Sequence, residues 1–142
     1  MNYSTQSDEK KKEVLRNSKT IAVVGASNDP FTASFRISKY LKEKGYKIIP
    51  VNPNYQKILD EKCYPDLKSI PETVDLVDVF RRGDEILGVI EEAASLGIPG
   101  VWLQSGLFSD PGHVVADKAG MDLIENCCIM SEHRRLMSEP IA

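Results

Sequence analysis

Five short runs rich in Val, Ile and Leu recur along the chain, at residues 20–25, 46–51, 75–80, 100–104 and 121–125. The stretches between them are long enough to hold helices. Three of these stretches close on a glycine, Gly45, Gly97 and Gly120, the residue that most readily takes the left-handed conformation ending a helix. Helices are expected over 33–44, where Phe35, Ile37, Tyr40 and Leu41 are apolar, over 84–96 and over 110–119. Strand, helix and strand in succession form a right-handed βαβ unit, and such units build a parallel sheet. The runs are apolar at odd and even positions alike, as when helices cover both faces of a sheet. The expected fold is therefore α/β: a Rossmann-like, doubly wound parallel sheet of about five strands in three α/β/α layers. A short extended piece is expected near Cys63 and Tyr64, and a last helical turn over 131–137.

A length of 142 residues suits one compact domain, 1–142, with 1–18 as an N-terminal helical arm. In that arm Ser7 is a candidate N-cap for a helix over 7–17, and Asp8 and Glu9 place negative charge in its first turn. A formal net charge of −3 lacks the basic face of a nucleic-acid binder. No apolar run approaches the ~20 residues of a membrane span. The charged first residues have no apolar core, so no secretory signal is read and a cytoplasmic location is the expectation. Cys63, Cys127 and Cys128 form no CxxC pair, which suggests neither a disulfide framework nor a zinc ribbon. His113 and His133 are too far apart in sequence for a His-rich metal site.

Doubly wound sheets bind ligands beyond the carboxyl ends of their strands, so the residues just after each run are the ones to weigh. After the first run stand Gly25, Ala26, Ser27 and Asn28. Small residues before a helix let backbone N–H groups approach an anion, and Ser27 adds a hydroxyl. The plainer alternative is a tight turn at Gly25 with Ser27 or Asn28 capping the helix. The loop lacks the glycines of G-x-G-x-x-G, having Ser27 and Pro30 instead, and no Gly-Lys-Ser/Thr makes it a P-loop. After the second run come Val51, Asn52 and Pro53, where a dinucleotide-binding domain carries Asp or Glu for the ribose hydroxyls. Asn52 can hydrogen-bond a base or ribose edge and Pro53 can lie on an adenine face; equally, Asn-Pro is a common turn.

Phe80, Arg81 and Arg82 follow the third run. Arginine pairs bidentately with phosphate and Phe80 can stack on a base; the alternative is a core Phe and two solvated arginines. Gln104, Ser105 and Gly106 bring polar groups to the same edge after the fourth run, while Trp102 reads as core. Cys127 and Cys128 follow the fifth, and vicinal free cysteines are usually small buried hydrophobes. A Cys128–His133 nucleophile pair would need an orienting group, and the sequence supplies none.

The blocks IAVVGAS, GYKIIPVNPNY, KCYPDLKSIP, VDVFRR, VWLQSG and CCIMSEHRRL follow one another in the order and spacing of the small bacterial and archaeal coenzyme A-binding proteins. These resemble the CoA-binding domain of the succinyl-CoA synthetase α-subunit, and the resemblance covers about residues 13–137. It implies CoA at the carboxyl edge of a Rossmann-like sheet. Carried over by position, Gly25, Ala26, Ser27 and Asn28 would contact the pyrophosphate, and Val51, Asn52 and Pro53 would line the adenosine end. Phe80 and Arg81 would close over the nucleotide, with Arg36, Lys57 and Arg82 as candidates for phosphate charge. Cys128 stands where the family pattern has a cysteine, and Cys127 beside it is an addition.

The residues and the resemblance together lead to one expectation: a module that binds CoA or an acyl-CoA, has no catalytic groups or metal of its own, touches neither nucleic acid nor membrane, and, if it is not a monomer, has a homodimer as its default assembly. CoA needs cations for its phosphates and no carboxylate at position 52. The rivals are an NAD(P)-binding oxidoreductase or regulator, and a thiol-based redox protein using Cys127 or Cys128.

Overall fold

A computed structural model describes residues 6–137. The elements run α1 (Asp8–Asn17), β1 (Thr20–Val24), α2 (Ala33–Glu43), β2 (Lys47–Val51), β3 (Lys57–Ile58), β4 (Glu61–Lys62), β5 (Leu76–Val79), α3 (Glu85–Ser95), β6 (Gly100–Leu103), α4 (Asp110–Ala119), β7 (Asp122–Ile124) and α5 (Ile129–Met137). Five strands form one sheet in the order β2-β1-β5-β6-β7, every neighbouring pair parallel. The chain moves outward from β1 to β2, then returns across β1 to β5 and continues the other way. The reversal leaves a crevice at the carboxyl ends of β1 and β5, the topological switch point of a doubly wound sheet.

The strands alternate their side chains between two apolar layers. Ala22, Val24, Val77, Val79, Val101 and Leu103 pack with Ile86, Ile90 and Ala93 of α3 and Ala116 of α4. Ile21, Val23, Ile48, Leu76, Trp102 and Ile124 pack on the other side with α1, α2 and α5 through Leu15, Ile37, Leu41 and Ile129. This is the expected three-layer α/β/α arrangement. Trp102 is wholly buried, and its indole Nε1 donates to the Cys127 carbonyl at 2.9 Å, which satisfies the one polar atom it carries inward.

Helix boundaries follow from local chemistry. Ser7 caps α1 by accepting from the Lys10 N–H, and Gly120 closes α4 in the left-handed conformation. The arm packs as a helix against α5, where Lys11 Nζ meets Glu132 at 2.7 Å and the Arg135 guanidinium meets both Asp8 oxygens at 2.9 and 2.7 Å. The terminal segment is thus a full helix from Ile129, longer than the turn expected over 131–137. The extended piece near Cys63 is also larger than the sequence suggests. β3 and β4 pair antiparallel around Leu59 and Asp60, both at positive φ, and Tyr64 then bridges Val51. Neither Leu nor Asp signals such a turn as glycine does. Among the described residues no helix is long and apolar enough to cross a membrane.

Candidate functional site

The loop after β1 turns on Gly25, whose φ of +87° suits glycine. A Cβ there would stand 2.9 Å from the Phe80 carbonyl oxygen. The two strand ends that bound the crevice therefore touch backbone to backbone. Four hydrogen bonds then fix the loop. Gly25 N–H donates to the Val51 carbonyl at 3.0 Å. Asn52 Nδ2 donates to the Ala26 carbonyl at 2.8 Å, and Asn28 Nδ2 to the Lys57 carbonyl at 2.9 Å. Ser27 Oγ accepts from the Asp29 N–H at 3.0 Å. Thr32, rather than Ser27 or Asn28, caps α2 by accepting from the Phe35 N–H. With the Ala26 carbonyl and the Ser27 and Asn28 side chains engaged, the backbone N–H groups of Ala26, Ser27 and Asn28 have no acceptor among the described residues. Ala26 is itself buried, so Ser27 and Asn28 carry the accessible donors of this run, and unpaired backbone donors ahead of a helix N-terminus suit a phosphate.

A cavity of about 290 Å³ lies at the end of β5, where Gly25 approaches Phe80; residues 25–28 do not themselves line it. Phe80, Arg81 and Arg82 form one wall, Gln104, Ser105 and Leu107 another. Ala33 and Ile37 of α2 and Cys128 complete it. Arg81 is half-buried and Arg82 exposed, and neither guanidinium has a hydrogen-bond or ion-pair partner among the described residues. Larger grooves exist; one of about 550 Å³ lies at the opposite, amino-terminal edge around Thr20 and Lys47. It lacks the unpaired loop donors and the switch-point geometry.

Phe80, Arg81, Arg82 and Gln104 thus meet in one cavity, which the Gly25–Asn28 loop approaches where Gly25 meets Phe80. Val51 belongs to the core beneath. Asn52 is buried and tied to the protein at both ends of its amide: besides the bond to Ala26, its Oδ1 accepts from the Asn54 N–H at 2.9 Å, which leaves one N–H and one lone pair. Its role in this structure is to tie the β1 loop to the end of β2, while Pro53 beside it is exposed. Lys57 is exposed and adjoins the loop through its carbonyl. Arg36 lies away from the cavity lining. Ala33 and Ile37, four residues apart, share the cavity face of α2, and Arg36 is turned about 100° from Ile37. Its Nη1 donates to the Phe31 carbonyl at 2.8 Å, in a groove with Phe35, Tyr40 and Met130.

Beneath the cavity lies a residue the sequence did not single out. Asp78, mid-strand in β5, is wholly buried between Val23 and Trp102 in the sheet register. Burial pushes its carboxyl up to about 8, so it is a neutral acid at pH 7. Gln104 Nε2 donates to its Oδ1, while Oδ2 has no partner. Leu107 was also missed, since a loop residue shows no periodicity, and Ile37 reads from sequence as ordinary core.

Among the described residues no hydrogen bond joins Cys127 or Cys128 to His133. His133 Nδ1 shares a 2.8 Å hydrogen bond with the Tyr40 hydroxyl, and its ring packs edge-on against Tyr40 and Tyr46. Burial pushes the Cys127 thiol up to about 11, which leaves it protonated at neutral pH. At the far strand end, buried Glu125 accepts from the Ser109 N–H at 3.0 Å and pairs with His113 Nε2 at 2.8 Å, a network that stitches α4 to β7.

A family model described as a CoA binding domain matches residues 19–134. An uncharacterised Bacillus subtilis protein, YneT, is 39% identical over 122 residues, which cover 86% of this chain and 90% of that one. The ADP-forming acetate–CoA ligase II of Archaeoglobus fulgidus is 40% identical over 101 residues, 70% of this chain but only 15% of the ligase. Among solved structures, a hypothetical protein from Pyrococcus horikoshii superimposes with a TM-score of 0.90 at 36% identity, covering 96% of each chain.

Proposed function

Since the chain belongs to the CoA-binding domain family, we propose that it binds coenzyme A or an acyl-CoA at the β1/β5 crevice and performs no reaction on it unaided. One observation carries the reading. The unpaired N–H groups of Ser27 and Asn28 follow β1, and the unpaired guanidiniums of Arg81 and Arg82 follow β5, the two neighbouring strands that bound the switch point. CoA supplies the matching charges, a pyrophosphate for the loop and a 3′-phosphate for an arginine. Phe80 stacks on the nucleotide, and the apolar wall of Ala33, Ile37 and Leu107 takes the pantetheine arm. The absence of a carboxylate at position 52 favours CoA over NAD.

Calorimetry with CoA, acetyl-CoA, dephospho-CoA, NAD and NADP tests this. CoA is expected to bind in the micromolar range, about −8 kcal/mol, and more tightly than dephospho-CoA. Arg81→Ala should narrow the gap between CoA and dephospho-CoA. Tighter binding of NADP than of CoA would reject the proposal.

A further inference from the structure

We propose that Asp78, which does not itself line the cavity, is the positioning residue that fixes the Gln104 amide, so that the cavity offers one N–H donor and one carbonyl lone pair to the amides of a pantetheine arm. The inference rests on the coenzyme A reading above.

A glutamine amide has two N–H donors and two acceptor lone pairs. Gln104 spends one donor on Asp78 Oδ1, and its Oε1 accepts from the Ile129 N–H at 3.3 Å. The Ile129 N–H sets the orientation, because exchanging the amide ends would put N–H against N–H; Nε2 is then the end that reaches Asp78 Oδ1. What remains is one donor and one lone pair on a side chain that forms part of the cavity wall. The arginines of that wall only donate. Gln104 Oε1 and the Ser105 hydroxyl are therefore its strong side-chain acceptors. A pantetheine arm carries two secondary amides, each with an N–H that needs such an acceptor.

The second line of argument is the cost of Asp78. Its neighbours across the sheet are Val23 and Trp102, both wholly buried and both in the same apolar layer. An apolar side chain would suit that position better than an acid whose Oδ2 is buried without a partner. Oδ1, the oxygen that holds Gln104, is the part of Asp78 that accounts for its presence.

The test compares CoA with adenosine 3′,5′-bisphosphate, the nucleotide half without the arm, by calorimetry. Asp78→Val removes the acceptor and suits a strand. Asp78→Asn keeps a carbonyl oxygen for Gln104. For Asp78→Val, a loss of about tenfold is expected for CoA, with the nucleotide half unchanged within about twofold. Asp78→Asn should restore CoA binding. A purely structural role would weaken both ligands together. Unaltered CoA binding in Asp78→Val, equal losses for both ligands, or no rescue by Asp78→Asn overturns the inference. Should Asp78→Val fail to fold, Gln104→Leu is read against the same two ligands. The same selective loss is expected, and CoA affinity equal to the wild type overturns the idea. Wild-type protein that binds neither ligand overturns the coenzyme A reading itself; wild type that binds CoA, followed by any of the failures above, overturns this inference alone.

Discussion

The crevice and the α1–α5 seam both present arginines, and they treat them in opposite ways. In the seam Arg135 is consumed: its guanidinium grips Asp8 through two hydrogen bonds and reaches Glu132 as well. In the crevice Arg81 and Arg82 have no partner among the described residues, although the chain carries a net negative charge. The same side chain serves as a clasp in one place and as an unspent charge in the other. A cation left unpaired beside unpaired backbone donors belongs to a ligand's account of interactions, whereas a cation paired with carboxylates belongs to the fold's.

The largest expected effect would break both regions' independence at the hinge of the crevice. Gly25→Val places a Cβ against the Phe80 carbonyl and demands a positive φ of a β-branched residue. It should cost more than about 2 kcal/mol of stability and abolish measurable CoA binding. A urea midpoint equal to that of the wild type would contradict the close approach described above. Next, the double variant Arg81→Ala with Arg82→Ala should lower CoA affinity by about 10- to 100-fold, in line with loss of charge-assisted bonds. Its unfolding free energy should stay within about 0.5 kcal/mol. A stability loss of the same order as the binding loss would mean that these arginines hold the fold after all.

The seam should show the converse. Lys11 and Glu132 are mostly buried, at 8% and 13% side-chain exposure. Lys11→Met should therefore destabilise the protein by about 1 kcal/mol and leave CoA affinity untouched; weakened CoA binding would show that seam and crevice are coupled. The smallest effect is a pH dependence. Hydrogen bonds from Arg135 hold the Asp8 and Glu132 carboxyls below their ordinary range. Groups depressed on folding stabilise the protein above their unfolded values, near pH 4, and lose that contribution as pH falls through the folded ones. Arg135→Ala should flatten this acid limb of the stability curve. An acid limb as steep as that of the wild type would deny the clasp its role.

The contrast also marks what was legible in the sequence. Strand runs, glycine stops and the switch-point logic gave the sheet, its layers and four residues of the cavity wall, because each depends on local pattern and on topology. Charge and place in the chain made Arg36 a candidate, but a helix rotates successive residues by about 100°, and it is Ala33 and Ile37 of α2 that line the cavity. Asn52 reads from sequence as a base or ribose contact, and that its amide also ties Ala26 to Asn54 shows only in the structure. Side-chain hydrogen bonds between distant segments leave no periodicity behind. Asp78 was invisible for a related reason: an acid inside an apolar strand acquires meaning only through the glutamine 26 residues away that it holds.

The Asn52 tie has a kinetic corollary. A loop already fastened by Asn52 and Asn28, and followed by a capped helix, has little freedom left to surrender when an anion arrives. Ligand capture should then proceed in a single step at a rate set by encounter, with the observed rate constant rising linearly in ligand concentration. Cutting the tie with Asn52→Ala would let the loop wander. The association rate would fall to the fraction of time in which the loop is correctly shaped, while the chemistry of the contacts stayed the same. A side chain whose visible work is to fasten the loop would thereby govern how quickly an anion is caught.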